Sequence, residues 1–318
     1  MLAKLKAEVC QANLDLVAQG LVIQTWGNVS GVDRTRGLMA IKPSGLPYAE
    51  MQPQHMVCVA LDSGKVVEGK LKPSSDTDTH LILYRAFKGI GGVVHTHSLY
   101  ATAWAQACKP LLAYGTTQAD YWYGDVPVTR NLTTAEIKSG YEANTGNVIV
   151  KTFKRLKLDP LHHPAVLVAS HGPFTWGNSV ADAVHNASVL EFVARLNSET
   201  LRINPKVKPM QSVLLAKHFL GTFSTKYEKN INGFAPEAME MLISASWPGN
   251  VRQLVNVVEQ CVVLSTAPLI SPMLVYDAMH KEEEQLVSFE DARKSFERDY
   301  LVRVLKITGG NVTQAARL

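Results

Sequence analysis

Cysteine is scarce in this chain of 318 residues, long apolar runs are absent and net charge is small. Each shortage removes a class of function. The four cysteines, Cys10, Cys58, Cys108 and Cys261, are scattered and form no C-x-x-C pair, so a disulfide scaffold is excluded. They fit reduced thiols in a cytoplasm, and four Asn-x-Ser/Thr matches such as Asn28-Val29-Ser30 are then chance hits. No apolar stretch approaches the ~18 residues that span a bilayer. The amino terminus, Met1-Leu2-Ala3-Lys4-Leu5-Lys6, reads as an amphipathic helix and not as a signal peptide. A net charge of +4 is too weak to argue for nucleic acid by itself. There is no G-x-x-x-x-G-K-[ST] loop, and Gly89-Ile90-Gly91-Gly92 lacks the dinucleotide spacing, so nucleotide binding has no support.

Histidine is where the chain becomes informative. Gly92-Val93-Val94 is an apolar, β-branched run leading into His95-Thr96-His97. In a strand, residues i and i+2 point to one face about 6.6 Å apart, so two imidazoles can converge on one ion. A second apolar run, Ala165 to Val168, leads to Ser170-His171 and is stopped by Gly172-Pro173. Three imidazoles leave a zinc-like ion an open position for substrate, the layout of a catalytic site. Spacing alone leaves two readings open: a metal site, or unrelated histidines at strand ends and in a turn.

A chain of 318 residues exceeds a single hydrophobic core, so about two domains are expected. Character changes near residue 205. Before it, short apolar runs alternate with Gly-, Pro- and Ser-containing turns, and helical patterns fall at roughly 2–18, 76–87, 98–107, 133–155 and 179–196. Strands with interspersed helices suggest an α/β layered domain over 1–209. From 210 to 318 the pattern is helical, with helices starting at Pro236 and Asn250, a third over 288–307 and a fourth opening at Asn311.

Three segments of the first domain suit an anion: Trp26-Gly27-Asn28-Val29-Ser30, Lys42-Pro43-Ser44-Gly45 and Lys72-Pro73-Ser74-Ser75-Asp76. Small residues let backbone N–H groups approach a phosphate, and serine hydroxyls add donors. Each is also an everyday turn sequence.

Long runs carry a resemblance. They include Thr25 to Ser30, Ile41 to Gly45, Lys72 to Thr77, Gly91 to His97, Ala119-Asp120-Tyr121, Gly146 to Ile149, Ser170 to Phe174 and Asp182 to Asn186. Through them, residues 1 to about 220 closely resemble the class II aldolase/epimerase family, in its L-ribulose-5-phosphate 4-epimerase branch. The resemblance implies a central sheet covered by helices. It implies a divalent ion, usually zinc and otherwise a cation such as manganese, held by His95, His97 and His171 with Asp76 beside it. It further implies that Gly27, Asn28, Ser44, Gly45, Ser74 and Ser75 hold the phosphate of a small sugar phosphate, and that Asp120 is an acid/base group. Asp76 argues for the epimerase branch, because the aldolases carry glutamate there. The implied protein is a cytoplasmic homotetramer.

The chemistry suits these residue types. The hydrogen on C4 of a ketopentose phosphate is not acidic, so inversion there proceeds by retro-aldol cleavage of C3–C4, rotation of the aldehyde and bond formation on its other face. A Lewis-acidic cation stabilises the enediolate by several kcal/mol. A phosphate clamp retains the fragment, and each face needs an acid/base group for the C4 oxygen. The family's second such group is a tyrosine from the extreme carboxyl terminus, reaching into a neighbouring subunit. Here the chain departs from the family, running Lys217-His218-Phe219-Leu220 into Gly221 and on to Tyr227, two positions from where the tyrosine is expected. Tyr227 is the substitute candidate, and slowed epimerisation is expected. Gln118 and Tyr100 also stand where the family often has histidine.

The later part, about 210 to 318, resembles the carboxyl-terminal region of NtrC-class, sigma-54-dependent activators. Ser246-Trp247-Pro248-Gly249-Asn250-Val251-Arg252-Gln253-Leu254 carries the match and belongs there to the lid of an AAA+ ATPase. Gly310 to Leu318 resembles the start of a helix-turn-helix. The phosphate loop is absent, so Arg252 has no nucleotide to contact. No recognition helix is present to enter a major groove, so no competent DNA-binding domain is expected. The chain thus reads as an epimerase joined to a regulator fragment. Two alternatives stay open: a class II aldolase acting on a related sugar phosphate, and a non-catalytic fusion with a transcriptional-regulator fragment.

Overall fold

The computed structural model describes residues 2–122, 124–245, 247 and 250–280; the side chains of residues 120, 212 and 250–252 fall outside that description. The chain divides into two compact units, Met1–His218 with Trp247–Val255, and Phe219–Ser246 with Asn256–Leu318. The helices expected over 288–307 and from Asn311 lie outside the described residues.

The elements of the first part run α1 (Leu2–Ala18), β1 (Asn28–Asp33), β2 (Leu38–Ile41), β3 (Val57–Ala60), β4 (Val66–Glu68), α2 (Thr77–Ala86), β5 (Gly92–His95) and α3 (Leu99–Gln106). They continue with α4 (Thr116–Tyr121), α5 (Thr134–Arg155), β6 (Ala165–Leu167), β7 (Pro173–Gly177) and α6 (Val180–Ile203). Helix α5 starts on a capping box, in which the Thr133 hydroxyl accepts from the Glu136 N–H and the Glu136 carboxylate accepts from the Thr133 N–H. Ser179 and Asp182 do the same for α6. Seven strands form one sheet in the order β4-β3-β2-β1-β5-β7-β6. Every pairing in it is antiparallel.

Strand alternation sends neighbouring side chains into two different cores. Met39 and Ile41 of β2, Val57 and Val59 of β3, and Val93 of β5 pack with Leu81 and Tyr84 of α2 and Ile149 and Phe153 of α5. Ala40, Cys58 and Val94, their neighbours in sequence, pack instead with Val9 and Leu16 of α1 and Val184 and Ala187 of α6. Each such valine or leucine contributes roughly 1.5–3 kcal/mol by burial. The sheet is thus covered on both faces, the central sheet with helices that the sequence implied.

Pairing register then builds the site. Asn28 of β1 lies opposite His95 of β5, and His95 lies opposite Phe174 of β7. Three distant segments are thereby aligned in one row. Beneath it, the Ser30 hydroxyl on β1 meets His80 Nδ1 at 2.7 Å and the Tyr84 hydroxyl at 2.9 Å, tying α2 to the sheet.

The later elements are α7 (Ser212–Lys226), β8 (Gly233–Phe234), α8 (Pro236–Ser244), α9 (Asn250–Leu264), β9 (Leu269–Ile270) and α10 (Pro272–His280). Strands β8 and β9 pair in parallel. Leu242, Val258, Cys261, Val262 and Val275 are buried in the second unit. Proline opens α8 where its missing N–H costs nothing. Among the described residues no helix is long and apolar enough to cross a membrane.

Candidate active site

His95, the last residue of β5, is held by its ring. Its Nδ1 lies 2.9 Å from the Pro173 carbonyl, which can only accept, so Nδ1 carries the proton and Nε2 presents a lone pair. The ring also stacks on Phe174 with centroids 4.2 Å apart. Two residues on, His97 Nε2 stands 3.1 Å from His95 Nε2. His171 follows Ser170, whose φ of 60° turns the chain sharply. That turn sets the His171 ring 4.7 Å from His95 and 5.1 Å from His97 by centroids. One nitrogen from each of the three lies within 4.8 Å of the others.

Protonation state and unsatisfied groups both fit a metal. Burial, with the neighbouring imidazoles adding to it, pushes His95 and His171 down to about 3, against the weaker opposing pull of the Pro173 carbonyl on His95 and of the Asp76 charge on His171. Burial lowers His97 too, against the pull of the Asp76 charge. All three are therefore neutral at pH 7, the form that binds a cation. His171 Nδ1 is buried with no hydrogen-bond partner. A cation shared among the three nitrogens would satisfy these lone pairs.

The anion segments line the same cleft of about 340 Å³. Gly27, Asn28, Ser44, Gly45, Ser74 and Ser75 all face it, together with Asp76, His95 and His97. The two Pro-Ser turns are clasped together: Ser44 N–H donates to the Lys72 carbonyl at 2.9 Å and Ser74 N–H to the Lys42 carbonyl at 3.0 Å. Gly27 has φ of 89°, and a Cβ there would sit 2.9 Å from the His95 carbonyl oxygen, so only glycine lets this loop approach β5. The Tyr48 hydroxyl reaches the carbonyls of Trp26 and Gly27, at 3.2 and 2.9 Å, and fixes the loop from behind. The Asp76 carboxylate accepts from Asn28 Nδ2 at 2.7 Å; it borders the cleft and is not one of the three clustered nitrogen donors.

Six further residues that the sequence had not marked as site residues line the cleft: Thr25, Trp26, Lys42, Pro43, Tyr141 and Glu142. Lys42 is almost wholly buried, donates to the Thr25 carbonyl at 3.2 Å and lies over the Tyr48 ring at 4.7 Å. Burial lowers its ammonium to about 8, with the Asp76 charge opposing. Its place in the Lys-Pro-Ser-Gly run was the available signal.

The histidine cluster and the anion cleft are one site, and the region containing them has relatives. Residues 7–198 match the model for the class II aldolase and adducin N-terminal domain. The chain belongs to that family. The L-ribulose-5-phosphate 4-epimerase UlaF of Salmonella paratyphi B is 54% identical over 217 residues, spanning 68% of this chain and 94% of that protein. The protein of the same name from Salmonella typhi matches at 54% over the same shares. A solved L-fuculose 1-phosphate aldolase superposes with a TM-score of 0.58 at 26% identity, covering 71% of this chain and 96% of that one. Residues 212–290 match a second model, the AAA+ ATPase lid domain. Class II aldolase family members depend on a divalent metal, and among the described residues the three histidines form a group that could hold one.

Two expected catalytic groups stand apart from these observations. Asp120 lies on α4, and its side chain is outside the described residues. Tyr227 follows α7 in the second unit, where its hydroxyl donates to Glu259 Oε1 at 2.6 Å and Lys226 Nζ reaches the same oxygen at 2.8 Å. Gln118 is buried and structural: its Nε2 donates to the carbonyls of Leu111 and Gly124. The Arg252 side chain also lies outside the described residues.

Proposed function

We propose that this protein is a metal-dependent epimerase that interconverts L-ribulose 5-phosphate and D-xylulose 5-phosphate by retro-aldol and aldol steps. One observation carries the reading: His95 and His97, two members of a cluster of three neutral imidazoles, line the same cleft as the serine and glycine turns suited to a phosphate. The 54% identity to the Salmonella epimerases supports the substrate. Residues 1–209 form the catalytic domain and 210–318 the helical module. The enzyme works in the cytoplasm as a homotetramer.

His95, His97 and His171, with Asp76 beside them, would hold zinc or manganese, which supplies Lewis acidity toward the ketose oxygens. Lys42, Asn28 and the serines at 44, 74 and 75 hold the phosphate on C5. Asp120 takes the proton of the C4 hydroxyl on one face. As C3–C4 breaks, its bonding pair stays on C3 as the enediolate of dihydroxyacetone, and C4 becomes the aldehyde carbon of glycolaldehyde phosphate. Because the phosphate is on the aldehyde fragment, the cradle retains the piece that must turn over. C3 then attacks the other face, and a proton returns to the C4 oxygen from a second group, for which Tyr227 is the candidate.

The hydrogen bond from Tyr227 to Glu259 favours a second reading, in which cleavage outpaces inversion. The test is to load the protein with zinc or manganese, supply L-ribulose 5-phosphate, and quantify D-xylulose 5-phosphate and free glycolaldehyde phosphate. The epimer as main product supports the first reading and accumulated aldehyde the second. Neither product, from protein shown to hold metal, refutes both.

A further inference from the structure

Helix α5 is broken inside its own length. Gly140 has φ of 141° and ψ of 91°, far from helical values and accessible in practice only to glycine. The space around it is open, with Ala143 Cβ at 3.9 Å as the nearest contact, so its demand is conformational and not steric. The break is supported on both sides. Asn144 Nδ2 donates to the Glu136 carbonyl at 2.8 Å and to the Ser139 hydroxyl at 3.0 Å, spanning the interruption. The Thr79 hydroxyl on α2 donates to the Glu142 carbonyl at 2.6 Å and anchors the turn just after it. A glycine placed for its backbone, with dedicated side-chain braces, marks a feature held for a purpose.

What the break presents is Tyr141, the next residue. Tyr141 and Glu142 line the cleft, and the Tyr141 ring lies 5.6 Å from that of His171. Its backbone carbonyl accepts from Thr145, yet its hydroxyl makes no hydrogen bond among the described residues and is not among the buried unsatisfied atoms. A phenol O–H open to a cleft, beside a metal-ligating imidazole, is a donor awaiting an acceptor. Its neighbour His171 is clustered with His95 and His97, which line the cleft, whereas Lys42 and the Pro-Ser turns line it as the candidate phosphate cradle.

We propose that Tyr141 is a substrate-binding residue, its hydroxyl donating to the unphosphorylated hydroxyketone end of the sugar, C1 to C3. This rests on the epimerase reading for the identity of the sugar, but the recognition is of a hydroxyketone next to the imidazole cluster. Tyr141 therefore grips the fragment that Lys42 and the serines do not.

The aldol direction allows the two ends to be titrated separately, with dihydroxyacetone and glycolaldehyde phosphate as co-substrates of the metal-loaded full chain. In Tyr141→Phe, which keeps the ring against His171, the KM for dihydroxyacetone should rise about tenfold, as loss of one hydrogen bond to an uncharged oxygen predicts. The KM for glycolaldehyde phosphate, the metal content and the Tm should not move. Gly140→Ala, which disfavours the backbone that aims the ring, should shift the same constant in the same direction. Equilibrium binding of dihydroxyacetone to manganese-loaded protein, followed by water-proton relaxation, gives a readout that needs no turnover. Binding weakened about tenfold in Tyr141→Phe supports the proposal even if no epimer forms, in which case only the functional reading falls. Equal binding by wild type and Tyr141→Phe, or no binding by wild type, overturns it.

Discussion

Lys42 should set an upper pH limit on substrate capture. Its ammonium is buried, has one carbonyl partner, and is lowered to about 8 by that burial. The sign follows directly: below pH 8 the side chain is a cation facing the phosphate cradle, and above it the charge is lost. One proton is involved, so kcat/KM, which reports the free enzyme, should fall about tenfold per pH unit above about 8. Between pH 7 and pH 9 the charged fraction drops roughly tenfold, from about 90% to about 10%. Lys42→Met tests the cause. A hydrogen bond to a charged group contributes about 1.5–3 kcal/mol, so kcat/KM at pH 7 should drop roughly 10- to 150-fold. The variant should then show no further fall above pH 8. Its Tm should hold or rise, because methionine fills similar space without a buried charge. The assay is initial-rate epimerisation from pH 6 to 10 with metal in excess. Persistence of the limb at pH 8 in Lys42→Met, or an unchanged KM, would show that another group titrates and that Lys42 is structural.

Replacing both His95 and His97 with alanine should abolish binding of a divalent ion while the fold survives, since the two cores hold many other buried side chains and only Phe174 among them stacks on His95; equal metal content by elemental analysis in variant and wild type would dismantle the site. Asp120→Asn keeps shape but cannot exchange a proton, so kcat should fall 10²-fold or more, and unchanged turnover rejects the role. The metal-free protein should lose stability in acid. His80, His95 and His171 are each lowered by burial to about 3 from an unfolded value near 6.5, so their neutral forms stabilise the fold fully above pH 6.5. That stability drains as pH falls from about 6.5 toward 3, and a denaturation midpoint that is flat from pH 7 to 5 contradicts it.

Much of the site was legible because it uses short-range rules. Alternation along Val93-Val94-His95-Thr96-His97 puts both imidazoles on one face whatever the sheet does around them. The serine and glycine turns announce anion binding through their small size. What stayed hidden depended on long-range packing. Hydrophobic runs identify strands but not their direction, so nothing in Val57 to Ala60 or Ala165 to Leu167 declared an all-antiparallel sheet. Lysine is ordinarily solvated, and only the clasp between the two Pro-Ser turns and the ring of Tyr48 bury Lys42. Tyr141 was concealed by its own helix: the pattern over 133–155 reads as continuous, and one glycine within it gives no hint that the backbone turns there.

The row formed by Asn28, His95 and Phe174 has a consequence for biogenesis. Its members come from strands that are neighbours in space and strangers in sequence. While the chain is emerging from a ribosome, His95 and His97 are exposed well before His171 has been made, and two imidazoles alone give only a weak, promiscuous chelate. High-affinity loading must wait until the strand beginning at Pro173 has slotted beside β5. If the three histidines hold the metal, its capture comes late, coupled to closure of the pairing most distant in sequence in the sheet. Metal present from the start should leave early folding phases untouched and slow only the unfolding of the finished domain.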